Sequence, residues 1–402
     1  MAGRLRPIKQ VELESKNLKL RVILLVVCLL IATVSIGFGI KMLVTRQNGW
    51  QTVEVASNDI HCGDDFTLQF YFGKTEMSAT QEYRAVNALY SQACQQAYQS
   101  FYPDGELKQI SAAANEEVAI SQPLYNALSQ VEKYGSRYLY MAPIYGVYNQ
   151  VFLCDTELEA SWYDPSTDPE QQQWLAQLAS YCNDPQMIRL ELLGENKVKL
   201  VVSQQYLAFA AENEIQAFLD FGWLQSAFAA DYIADTLEEA GYTRGYLVSY
   251  DGFTRNMDDS NYTQNLFQRL DNDIHLPATV SYDGPSALVY LRSYPMNETD
   301  RQNYFAFADG HVVSAMVDPV DGANRFALPE LLAYGKGKSC GEIALQLAPV
   351  FIAEVLDAQA LIDLGDQEIY TVFAQDKNIC HTQKNLAMDV FEAGYTAKYL
   401  GQ

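Results

Sequence analysis

The chain has 402 residues, with 27 Lys and Arg against 50 Asp and Glu, a net charge of −23. That balance repels nucleic acid and anionic headgroups, so no nucleic-acid partner is expected. Hydrophobic residues at 49% and aromatics at 12% exclude general disorder and supply enough apolar surface for a sizeable core.

Val22 to Ile40 carries no charge over 19 residues, close to the roughly 20 needed to cross about 30 Å of hydrocarbon. Six basic residues precede it (Arg4, Arg6, Lys9, Lys16, Lys19, Arg21) and only Lys41 and Arg46 follow closely. This asymmetry predicts a transmembrane helix over 22–40 with the tail 1–21 in the cytoplasm and the main domain on the far side, in the cell membrane. A cleaved signal peptide fits less well, because its apolar core is usually shorter, about 7–15 residues, and ends in a small-x-small site. The first 50 residues hold eight basic and two acidic residues, +6, so residues 51–402 carry −29.

Residues 41–65 read as a stalk. Phe66 to Phe72 has strand composition, and Ala79 to Phe101 places Tyr83, Val86, Tyr90, Cys94 and Tyr98 at helical spacing. A further helix follows Ser121, its predicted N-cap, with Pro123 in the first turn. Asp155 to Gln173 reads as a polar surface loop and Gln172 to Tyr181 as a short helix. Met187–Leu193, Lys197–Val202 and Tyr206–Ala210 alternate like a β-meander. Ala227–Ala240 is predicted helical up to Gly241. Tyr246–Tyr250 and Leu288–Ser293 read as strands. Tyr304–Phe307 and His311–Val317 flank Asp309-Gly310 as a hairpin. Cys340–Leu356 reads as a buried helix, Ile369–Phe373 as a strand, and 376–402 as a polar tail. Helices and strands mix without regular βαβ alternation, so the fold class is α+β with a mixed sheet and packed helices, spanning residues 66–375.

Six cysteines lie beyond residue 40, which permits disulfides in an oxidising compartment. His61-Cys62 and Cys380-His381 converge on a metal only awkwardly, since adjacent strand residues point apart. A Cys62–Cys380 disulfide, or two free thiols, is expected instead.

Four blocks in order resemble the FAD:protein FMN transferases, the ApbE-type flavin transferases. SQPLYNALSQVEKYGSRYLYMAPIYGVYNQVF (121–152) is similar to the family's helix and following "G-x-F-D…P-L" stretch. LDFGWLQSAFAADYIADTLEEAGYTRGYLVSYDG (219–252) resembles "LDLGGIAKGYAVD…L…G…LVNLGG". YFAFADGHVVSAMVDPVDG (304–322) resembles "YF…DG…HHIIDPKTG", and GEIALQLAPVF (341–351) stands at the place of "ADALSTALFVL". The resemblance implies an extracytoplasmic protein that binds FAD and uses Mg²⁺ to move FMN to a Ser or Thr of a partner, here an envelope flavoprotein.

Carried over by position, the resemblance implies cofactor contacts at Gly222, Ser226, Asp231, Asp251, Gly252, Asp318 and Gly322, with metal ligands at Glu342 and Gln346. Several of these are departures. The family's lysine falls on Ser226, its histidine on Ala315, a glycine on Asp251 and a threonine on Asp321. The metal-binding aspartate and threonine fall on Glu342 and Gln346. The changes at Ser226, Ala315, Asp251 and Asp321 remove positive charge or add negative charge where phosphates would lie, and two unit charges at 4 Å repel by about 1–4 kcal/mol. Mg²⁺ demands near-octahedral geometry at about 2.0–2.1 Å, so a carboxylate one methylene longer displaces its ligand. The expectation is a retained fold with weakened or lost transfer, acting as a flavin-binding or interaction protein. An active Mg²⁺-dependent transferase with variant ligands is the alternative. No catalytic residue is assigned.

Overall fold

The structure is a computed structural model that describes residues 22–29, 31–33, 35, 48–57, 59–270, 273–296, 300 and 302–401. The chain divides into two compact units, residues 1–48 with 72–83, and residues 49–71 with 84–402. In the first, residues 22–29 and 31–33 are helical and expose their apolar side chains, among them Ile23, Leu25 and Ile31. The tail 1–21, expected in the cytoplasm, and the remainder of the expected span fall outside the described residues. Among the described residues no helix is long and apolar enough to cross a membrane. The same unit holds a turn in which the Gly73 N–H donates to the Glu82 carboxylate at 2.9 Å and Phe72 packs on Tyr83.

The second unit is α+β, built on a nine-stranded mixed sheet. Its order is Gly49–Val53, Phe66–Phe72, Gly245–Ser249, Phe253–Asn256, Ser286–Arg292, Glu330–Lys336, Tyr370–Gln375, Asn378–His381 and Thr396–Tyr399. The paired registers are antiparallel except the last, which is parallel, Asn378 facing Thr396. Ser286–Arg292 lies at the centre with all seven residues buried. A strand covered on both faces needs apolar residues at every position rather than alternate ones, and SALVYLR supplies five of seven.

One face of that strand presents Leu288 and Tyr290 to a long hairpin, Asn261–Leu270 with Asp273–Asp283. There Leu266, Ala278, Val280 and Tyr282 meet Leu332, Tyr334 and Val372 in one core cluster. The other face is covered by the helix Cys340–Phe351, which also packs on the helix Gln225–Glu239. Fully burying each Leu or Val side chain contributes about 1.5–3 kcal/mol, which locks the three layers together.

Several elements differ from the sequence reading. Residues 49–53, expected in a stalk, form a sheet strand, and Cys62 in the 3₁₀ turn His61–Asp65 is fully buried. The expected polar tail carries strands Asn378–His381, Ala387–Val390 and Thr396–Tyr399. Tyr206–Ala210 is helical within Gln204–Glu212, because the Ser203 hydroxyl accepts from the Tyr206 N–H at 3.1 Å and starts a helix there. The polar stretch 155–173 is largely helical. Thr156 caps Glu157–Tyr163, and Asp168, followed by Pro169 at the first helical position, caps Pro169–Asn183.

Candidate functional site

Three of the four sequence blocks converge on one cavity of about 710 Å³. Block 121–152 contributes Tyr145 and Asn149, block 219–252 contributes Gly222, Ser226 and Asp251 among others, and block 304–322 contributes Ala315. Gly222 stands at the entry of the helix Gln225–Glu239 with φ +53°, and a Cβ there would come within 2.5 Å of the Tyr145 ring. The glycine is therefore required by the packing of Tyr145 under the cavity. Asp220 fixes the same turn, its Oδ1 accepting the Gly222 N–H at 2.8 Å.

Six aspartates line the space: Asp64, Asp65, Asp104, Asp220, Asp251 and Asp300. Burial pushes the carboxyls of Asp65 and Asp220 up to about 6, with the Tyr102 hydroxyl donating to Asp65 and opposing the rise. Burial also raises Asp251, against hydrogen bonds from Ser249 and Ser226, and its Oδ1 is buried without a partner. Asp300 is balanced by Arg292 at 3.2 Å. The aromatic walls are Tyr98, Tyr102, Tyr145, Trp223 and Tyr250.

The other sequence-predicted positions serve the fold. Asp231 takes the Cys340 and Gly341 N–H groups at 2.8 Å each and pairs with Arg255 at 3.0 Å. It thus satisfies two of the four N–H groups that the start of the helix Cys340–Phe351 leaves open. Gly252 (φ +108°) lies where a Cβ would meet the Tyr290 carbonyl oxygen at 2.3 Å. Asp318 holds its own turn through the Val320 N–H at 2.9 Å and the Arg325 guanidinium at 3.4 Å. Gly322 (φ +78°) closes that turn, and its carbonyl accepts the Tyr148 hydroxyl at 2.8 Å.

Glu342 and Gln346 do not line the cavity. Glu342 borders a different groove of about 470 Å³, shared with Asp231, and is engaged by Lys338 at 3.0 Å and the Tyr134 hydroxyl at 3.2 Å. The Gln346 amide donates back to the Glu342 carbonyl at 3.4 Å. Among the described residues, no three His, Cys, Asp or Glu side chains form a metal-holding group. The pair expected to bind Mg²⁺ does not fit that role here, because the carboxylate is committed to a lysine. FAD's diphosphate fits the cavity equally poorly. Its described lining brings carboxylates to the space, and the positions of the family's lysine and histidine are Ser226 and Ala315.

The sequence reading missed most of the wall. Asp220 and Trp223 lay inside a quoted block without drawing notice, whereas Asp64, Asp65, Tyr98 and Tyr102 show no spacing that marks them as cavity residues.

No family model matches this sequence, and comparison with curated proteins finds no match. Solved structures do. An ApbE protein from Thermotoga maritima aligns with a TM-score of 0.56 at 11% identity, covering 86% of this chain and 97% of its own. The flavinyl transferase ApbE from Pseudomonas stutzeri, in its apo form, gives 0.51 at 11% identity over 82% and 92%. The flavin transferase ApbE from Vibrio cholerae gives 0.50 at 10% identity over 77% and 90%. The fold is that of the ApbE flavin transferases, in a divergent form.

Proposed function

We propose that this chain is a membrane-anchored protein of the cell envelope that keeps the flavin-transferase fold and its cavity without transferring FMN, acting as a weak flavin binder or an interaction protein. The charge of the cavity carries this reading. A dinucleotide diphosphate brings two negative charges, and each carboxylate about 4 Å away adds about 1–4 kcal/mol of repulsion. Losing one electrostatic stabiliser of a transition state typically costs about 2.7–4 kcal/mol, and here both the lysine and the histidine positions are uncharged. The apolar run Val22 to Ile40 and its basic flank support the anchor and the exported placement of the domain.

The test is incubation of the full chain, purified in detergent, with FAD, Mg²⁺ and a Ser/Thr acceptor protein. AMP release and acceptor-bound flavin fluorescence are followed, with FAD titrated separately with and without Mg²⁺. The expected result is no AMP above a metal-free control and weak or absent FAD binding. Metal-dependent AMP release abolished by Glu342→Ala would overturn the proposal and restore the transferase reading.

A further inference from the structure

The segment ahead of the strand Phe66–Phe72 runs beside the helix Ala79–Phe101 in the same direction. The Ala56 N–H donates to the Ser91 hydroxyl at 2.8 Å, the His61 and Tyr98 rings lie 5.8 Å apart, and the Tyr102 hydroxyl reaches Asp65. Cys62 and Cys94 fall between these contacts. Both are fully buried, and the two thiols are close enough that Cys94 is the largest influence on the Cys62 thiol. The sequence reading gave Cys62 and Cys380 as a disulfide or as two free thiols; the structure holds no bond between them and puts Cys380 in the strand Asn378–His381, against Phe373 and Lys398.

We propose that Cys62 and Cys94 form a disulfide that braces the acidic wall of the cavity. The bond would tie the turn carrying Asp64 and Asp65 to the helix carrying Tyr98, which Tyr102 directly follows, and all four line the cavity. The oxidant is a disulfide supplied by the compartment, such as that of a thiol–disulfide oxidoreductase. One Cys thiolate attacks it and releases a thiol, and the second displaces the mixed disulfide. The Sγ–Sγ bond forms as two electrons and the two thiol protons pass to the oxidant. Because both sulfurs are sealed in the folded domain, the reaction belongs to folding, before the helix closes over the turn. The inference rests on the exported placement proposed above, since a reducing cytoplasm would keep both thiols.

The experiment uses the full chain in membranes of an export-competent host, acid-quenched and alkylated under denaturing conditions. Trypsin then yields peptides 47–74 and 85–108, each with one cysteine. The expected product is a single cross-linked species lighter by two hydrogens than the two peptides together, split by reductant, with a fall in Tm on reduction. Protease accessibility of the domain in intact spheroplasts reads the topology separately. A parallel refolding of the reduced chain with oxidised glutathione reads the chemistry regardless of compartment. Alkylated Cys62 and Cys94 in a protease-accessible domain, or a different pairing after refolding, would overturn the proposal.

Discussion

Replacing Asp231 with alanine tests whether a position inside the flavin-transferase-like block serves the fold or a ligand. The change strips two N–H groups at the start of the helix Cys340–Phe351 of their acceptors. It also removes one of three carboxylates around Arg255, leaving Asp235 at 2.8 Å and Glu238 at 3.0 Å. The helix keeps its N-cap, Ser339, whose hydroxyl accepts the Glu342 N–H at 3.0 Å, so the cost is that of the two buried N–H groups left open, about 1–3 kcal/mol each. Because Arg255 keeps two partners, the full penalty of about 3–5 kcal/mol for breaking a buried ion pair does not apply. The expected loss is about 3 kcal/mol. Asp231→Asn, which keeps one acceptor oxygen, should lose about half of that. Urea unfolding of the full chain in detergent, followed by tryptophan fluorescence, measures both, since Trp223 is 5% exposed and reports on the core. An unchanged midpoint for Asp231→Ala, or lost ligand binding at full stability, would refute the structural assignment.

Glu330 is fully buried, with Oε1 unpartnered, and burial pushes its carboxyl up to about 8 despite the Tyr294 hydroxyl at 3.0 Å. Its folded pKa lies above its unfolded value of about 4.3, so the native state holds the extra proton and stability falls as pH rises from about 4.3 to 8. Glu330→Gln should flatten that slope and raise the urea midpoint at pH 8, and an unaltered pH profile would count against it. Asp65 and Asp220 titrate near 6 in the fold, so the cavity sheds two negative charges below that pH. The raised values also mean that their contribution to stability increases as pH falls through 6 toward 4. FAD affinity, read by flavin fluorescence quenching, should therefore improve by roughly tenfold from pH 7.5 to pH 5. Equal or weaker binding at pH 5 would contradict the electrostatic account.

What was legible in the sequence was whatever is decided locally. Ala79–Phe101 appears with the bounds its periodicity indicates, and Ser121 caps the helix Gln122–Tyr134 through the Leu124 N–H. The Asp309-Gly310 hairpin forms, though with shorter strands, Tyr304–Ala306 and Val312–Ser314. Tyr206–Ala210 failed because an apolar alternation of five residues fits a helix face as well as a strand, and the Ser203 cap decided it. The hairpin Asn261–Leu270 with Asp273–Asp283 was missed because much of its first strand is polar and faces solvent. At the site, block order located the cavity, but residue types did not reveal individual roles. Asp231 as acceptor at a helix start, Gly252 beside the Tyr290 carbonyl and Glu342 held by Lys338 all depend on partners distant in sequence.

The nine-stranded sheet is framed by the strand Gly49–Val53 at one edge and Thr396–Tyr399 at the other. Its inner neighbours are likewise drawn from far apart, Phe70 facing Gly245. Pairings of such separation make assembly slow, and the sheet cannot be completed until the strand Thr396–Tyr399 has emerged from synthesis. During that interval the apolar central strand Ser286–Arg292 waits without its covering helix Cys340–Phe351, which emerges later. Nascent chains of this protein should accordingly depend on chaperones that hold extended β segments.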